Sequence, residues 1–119
     1  MKAAALFAGL SLLTMSSPGI AQVDPTAPLN SANNFQRLCQ SDASLTTYCM
    51  TYVLGTYHAL RETSRASGVC LPKGVDTGQL FEVGLQYIRQ HPELGHYAPA
   101  PLLIASWEQA FPCPNGQTP

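Results

Sequence analysis

The chain has 119 residues, 45% of them hydrophobic and only 11% charged, with a formal net charge of −1 at pH 7. That length bounds the fold to one domain with a small core. Six cations against seven carboxylates leave no basic stripe for phosphates, which argues against nucleic acid and against an anionic membrane surface.

Lys2, an apolar run from Ala3 to Leu13, the helix breaker Pro18 and the small-residue end Gly19-Ile20-Ala21 form the pattern of a secretory signal peptide cleaved after Ala21. The run is shorter than the ~20 apolar residues of a membrane-spanning helix. Residues 1–21 are therefore expected to be a signal peptide, and the protein to be exported. Residues 22–29, "QVDPTAPL", hold two prolines without periodicity and are expected to be a flexible N-terminal segment. Residues 30–119 are then the folded domain.

From Asn30 onward the apolar spacing is helical. Asn30 or Ser31 is placed to cap a first helix whose Phe35, Leu38 and Cys39 recur at i, i+3, i+4, and "SDAS" breaks it. The second and longest run starts at Ser44 as N-cap, with Leu45, Tyr48, Cys49, Tyr52, Val53, Thr56 and Leu60 on one face. Met50, Leu54 and Tyr57 form a second strip. An apolar surface that wide suggests the central helix, flanked on both sides. Gly55 in its middle is read as a close helix crossing in preference to a functional kink, and Gly68 is placed to end the helix.

A third helix starts at Asp76, with Gln79 three residues on as in a capping box. Leu80, Val83, Gly84, Tyr87 and Ile88 form its stripe, Phe81 and Leu85 widen it, and Pro92 stops it. The fourth is "PAPLLIASWEQAF". Its Pro99 and Pro101 fit a helix start, because amide hydrogens of the first turn have no intrahelical partner. Trp107 on this helix is read as core, with an exposed interface anchor as the alternative. No segment alternates as a strand would. The fold class is all-α: a compact four-helix domain.

All four cysteines, Cys39, Cys49, Cys70 and Cys113, follow the signal, and an even count in an exported small domain reads as two disulfides. Cys49 opens the long helix and Cys70 lies past its end, so about 20 residues at ~1.5 Å each separate them by ~30 Å. A disulfide needs Cα atoms within about 7 Å. Cys39 lies a short turn from Cys49, leaving Cys39 to Cys49 and Cys70 to Cys113.

Converging catalytic groups are not legible. Glu62, Glu82, Glu93 and Glu108 lie in different segments without paired spacing, and each reads as a solvated helix residue rather than a general acid or base. No nucleophile elbow or phosphate-binding glycine loop occurs. Paired cysteines supply no thiolate. In "HPELGH", His91 and His96 could form one side of a metal site, but a polar turn between helices is the preferred reading. No enzyme activity, cofactor or metal is therefore expected, and a binding protein is the more natural class.

The series "LCQS" (38–41), "YCMTYVLGTYHAL" (48–60), "CLPKGVDTGQL" (70–80), "YIRQHPE" (87–93) and "AFPC" (110–113) resembles the Rap/Tai family, periplasmic immunity proteins against type VI secretion amidase effectors. The likeness implies a compact helical protein, often a homodimer, that blocks the active-site cleft of a peptidoglycan amidase. Some members insert a loop between the later helices. By position that loop is Gln90, His91, Pro92, Glu93, Leu94, Gly95 and His96, which makes Gln90, His91, Glu93, Leu94 and His96 the implied partner-binding residues. The sequence departs from the family in "APAPLLIASWEQ", where relatives look alanine-rich. The competing reading is a small disulfide-clipped periplasmic chaperone or stress protein.

Overall fold

The computed structural model describes residues 30–41, 43–63 and 68–115. The expected signal peptide and N-terminal segment lie outside these residues. Among the described residues there are four α-helices: α1 (Ala32–Ser41), α2 (Thr46–Thr63), α3 (Thr77–Gln90) and α4 (Pro99–Ala110). Two 3₁₀ turns, Ala43–Leu45 and Pro92–Leu94, lead into α2 and out of α3. The four-helix reading holds, and so do both disulfides, Cys39 to Cys49 and Cys70 to Cys113.

Each helix start has a local cause. Asp76 accepts from the Gln79 amide at 2.9 Å while the Gln79 side chain accepts from the Asp76 amide at 3.1 Å, a closed capping box. Helix α4 begins at Pro99 as expected. Between its two prolines, Ala100 lies close to the half-buried Tyr52 phenol of α2. Burial pushes this phenol above its ordinary value. The Ser44 cap is a correction: a 3₁₀ turn occupies residues 43–45, and α2 starts at Thr46.

The core joins Phe35 and Cys39 of α1 with Cys49 and Val53 of α2, and with Leu80, Phe81, Leu85 and Ile88 of α3. Leu102, Leu103 and Trp107 of α4 complete it, with Val69 from the connecting segment. Trp107 is fully buried, its Nε1 donating to the Leu80 carbonyl at 2.9 Å, and Tyr57 meets its ring edge-on at 6.0 Å. The core reading of Trp107 is the correct one.

Two expectations for α2 are overturned. It carries two buried residues against five on α3, so α3 is the more deeply set helix, and Tyr48 and Leu54 of the anticipated apolar strips are exposed. A Cβ added at Gly55 would meet nothing within 4 Å, so no helix crosses there. The close crossing is at Gly84, where a Cβ would overlap the Cδ2 methyl of Leu103. Both glycines interrupt an apolar run, and only the packing of α4 tells them apart.

The second bridge ties two segments that also pair through their backbones. The Cys70 amide donates to Phe111 at 2.8 Å and the Cys113 amide to Gly68 at 3.1 Å, around a Val69–Pro112 antiparallel contact. Gly68 has φ 66°, the left-handed conformation that favours glycine. Residues 64–67, including Arg65, lie outside the described set.

Candidate functional site

The connection from α3 to α4 is the segment to which the family resemblance assigns partner binding, and most of its backbone is hydrogen-bonded. The His91 amide closes α3 by donating to Tyr87 and Ile88 at 3.1 and 3.2 Å. Three amides then donate to the carbonyl three residues back, Leu94 to His91 at 3.0 Å, Gly95 to Pro92 at 3.2 Å and Tyr97 to Leu94 at 3.0 Å. A loop with its own bonds and no positive-φ residue has little freedom left to lose on binding.

This tip is also tied to α1. The first three amide hydrogens of a helix lack intrahelical acceptors, and in α1 all three find partners. Ala32 donates to the Tyr97 carbonyl at 2.7 Å, Asn33 to the Gly95 carbonyl at 3.0 Å and Asn34 to Ser31 Oγ at 3.2 Å. Ser31 is thus the side-chain cap, one of the two alternatives the sequence left open. The Asn33 carboxamide lies directly over Gly95, where a Cβ would overlap it. Gly95 is buried for that reason.

The side chains sort into inward and outward groups. Leu94 is partly buried and packs on the core. His91 is half-buried, stacks on Tyr87 with centroids 4.3 Å apart, and donates from Nδ1 to Glu93 Oε1 at 3.0 Å. That bond holds the exposed Glu93 carboxyl below its ordinary 4.5. Gln90, Pro92, Glu93 and His96 are exposed. His96 stacks on Tyr97 at 4.1 Å, and Tyr97, 52% accessible, is the most exposed large hydrophobic side chain among the described residues.

The five predicted residues therefore share one connection but not one role. Gln90, Glu93 and His96 face outward, whereas His91 and Leu94 hold the turn in place. The two histidines are not brought together: each stacks on its own tyrosine. Among the described residues no group of three or more His, Cys, Asp or Glu side chains is placed to hold a metal ion.

Sequence reasoning missed Tyr97, which falls one residue beyond the "HPELGH" segment. It also missed a groove of about 210 Å³ between α3 and α4, lined by Gln86, Tyr87, Gln90 and Gln109. The three carboxamides offer hydrogen-bond donors and acceptors without charge. Gln90 and Tyr87 connect this groove to the tip. The signal for Gln86 and Gln90 was their i, i+4 spacing on the polar face of α3; that Gln109 joins them depends on how α4 packs.

In chemical terms the site is a hydrogen-bonded turn that exposes a stacked histidine and tyrosine, one carboxylate and an uncharged polar flank. No curated protein and no solved structure matches the chain. The model of one family, described as Rap1a immunity proteins, matches residues 31–113, from the cap of α1 through the second bridge, and the chain belongs to that family.

Proposed function

We propose that this protein is exported to the periplasm and there neutralises a type VI secretion peptidoglycan amidase by seating the 90–97 tip in the enzyme's cleft. The observation that carries the reading is the tip itself: bonded along its backbone, anchored to α1, and presenting Glu93, His96 and Tyr97 to solvent. Inhibition of this kind needs no catalysis, only a pre-shaped body that excludes substrate, and rigidity reduces the ordering cost of association. Tyr97 is the anchor, since exposed aromatic side chains often supply a large share of interface energy.

Membership of the immunity family supports an effector as partner, and two disulfides support an oxidising compartment. The decisive experiment expresses a co-encoded amidase in the periplasm with and without this protein. Rescue of growth and a purified complex are expected, with Tyr97→Ala weakening binding by about 2 kcal/mol or more. Failure to protect against, or bind, any co-encoded amidase overturns the reading. Promiscuous capture of unfolded proteins, with release on acidification, would point to a chaperone instead. Homodimerisation, which the family likeness implies, is tested by sedimentation: a concentration-independent monomer mass removes it. Sequencing the N-terminus of periplasmic protein should give Gln22.

A further inference from the structure

We infer that helix α1 is the positioning element of the 90–97 tip, and that the Cys39–Cys49 disulfide keeps it in position. Among the described residues, the backbone bonds that tie the tip to a helix other than its own two neighbours come from the first turn of α1, from Ala32 to Tyr97 and from Asn33 to Gly95. Asn33 covers Gly95 from the same turn. Whatever moves α1 moves the partners of the tip.

Helix α1 has ten residues, below the roughly 12–15 at which an isolated helix is even marginal in water. It therefore stays helical only while docked. What docks it is one stripe, Ala32, Phe35 and Cys39, with Phe35 against Tyr52 of α2 at 5.3 Å between ring centroids, and the bridge from Cys39 to Cys49 on α2. The bridge sits at the end of α1 opposite the tip, about 10 Å along the helix axis at ~1.5 Å per residue. A brace fixed at one end carries its load at the other.

The second disulfide is built differently. It joins the segments around Val69 and Pro112, which have two backbone hydrogen bonds of their own, and it shares no residue with α1 or the tip. The two bridges therefore divide the labour: both constrain the unfolded chain and so stabilise the domain, and only Cys39–Cys49 also holds the binding surface in shape. The functional meaning of this division rests on the tip being the effector-binding surface, but the division itself is a property of the free protein.

Residue-resolved amide hydrogen exchange on the full mature chain tests it. In the Cys39→Ala/Cys49→Ala variant, protection at Ala32, Asn33, Gly95 and Tyr97 should fall about tenfold or more relative to Leu85 and Ile88 of α3. In Cys70→Ala/Cys113→Ala, protection should fall together across the domain. Equal losses at the tip and in α3 in the first variant, or no loss at the tip, overturn the inference. Asn33→Pro supplies a test that keeps both bridges: it removes both the amide donor and the carboxamide that α1 sets against Gly95, at a first-turn position whose amide has no intrahelical partner to lose. It should speed exchange at Gly95 and Tyr97 about tenfold with protection at Leu85 and Ile88 unchanged; unchanged tip exchange overturns the inference. With an amidase in hand, the first variant should bind more slowly because its competent tip is less populated. Absence of any amidase partner would sink the immunity reading and leave the exchange result standing, whereas unaltered tip exchange with intact amidase binding would sink only the positioning role.

Discussion

Trp107 combines the largest buried side chain among the described residues with a long-range hydrogen bond from Nε1 to the Leu80 carbonyl. Truncation to alanine is expected to cost about 3–5 kcal/mol, read from urea unfolding. Phenylalanine should cost distinctly less, since it retains most of the packing and leaves no buried donor unpaired. At the tip, Glu93 titrates below its ordinary 4.5 because His91 donates to its charged form. A depressed carboxyl contributes stability that is present above the unfolded-state pKa and is lost as the pH falls through the lower folded value. NMR titration should place the Glu93 midpoint below the ordinary carboxyl value in the native protein and raise it in His91→Ala. An unchanged midpoint would mean that the pair is not formed in solution.

Among the elements, the two helix-interior glycines separate propensity from packing. Gly55 faces open space on α2, so Gly55→Ala should stabilise the protein by up to about 1 kcal/mol through helix propensity alone. Gly84 faces the buried Leu103 across the α3–α4 crossing. There the same change must displace a packed side chain, and a net loss of about 1–2 kcal/mol is expected in chemical denaturation. Equal effects at both positions would contradict the crossing geometry. Helix identities and most of their ends were legible in the sequence because caps and first-turn prolines act within four residues. Asp76 with Gln79 and Pro99 are examples, and both fall where the spacing puts them. The start of α2 was less legible, because the chain enters it through a 3₁₀ turn that a capping residue alone does not signal.

For the molecule as a whole, the disulfides set the scale of stability. By the chain-entropy estimate, losing the bridge that spans 43 residues costs about 4 kcal/mol, against about 3 for the one that spans ten. Thermal unfolding of the two double-alanine variants should rank them in that order. The sequence by itself determined the helical class, the four helices and the pairing of the cysteines, because periodicity, caps and the rise per residue are local quantities. It also placed Gln90, His91, Glu93, Leu94 and His96 in one connection between helices. Only the tertiary structure decided which of these face solvent, that Tyr97 joins them, that Gln109 completes a groove with Gln86 and Gln90, and that α1 supplies amides to the tip. Those relations link residues distant along the chain, and they exist only once apolar burial has chosen one arrangement of the helices.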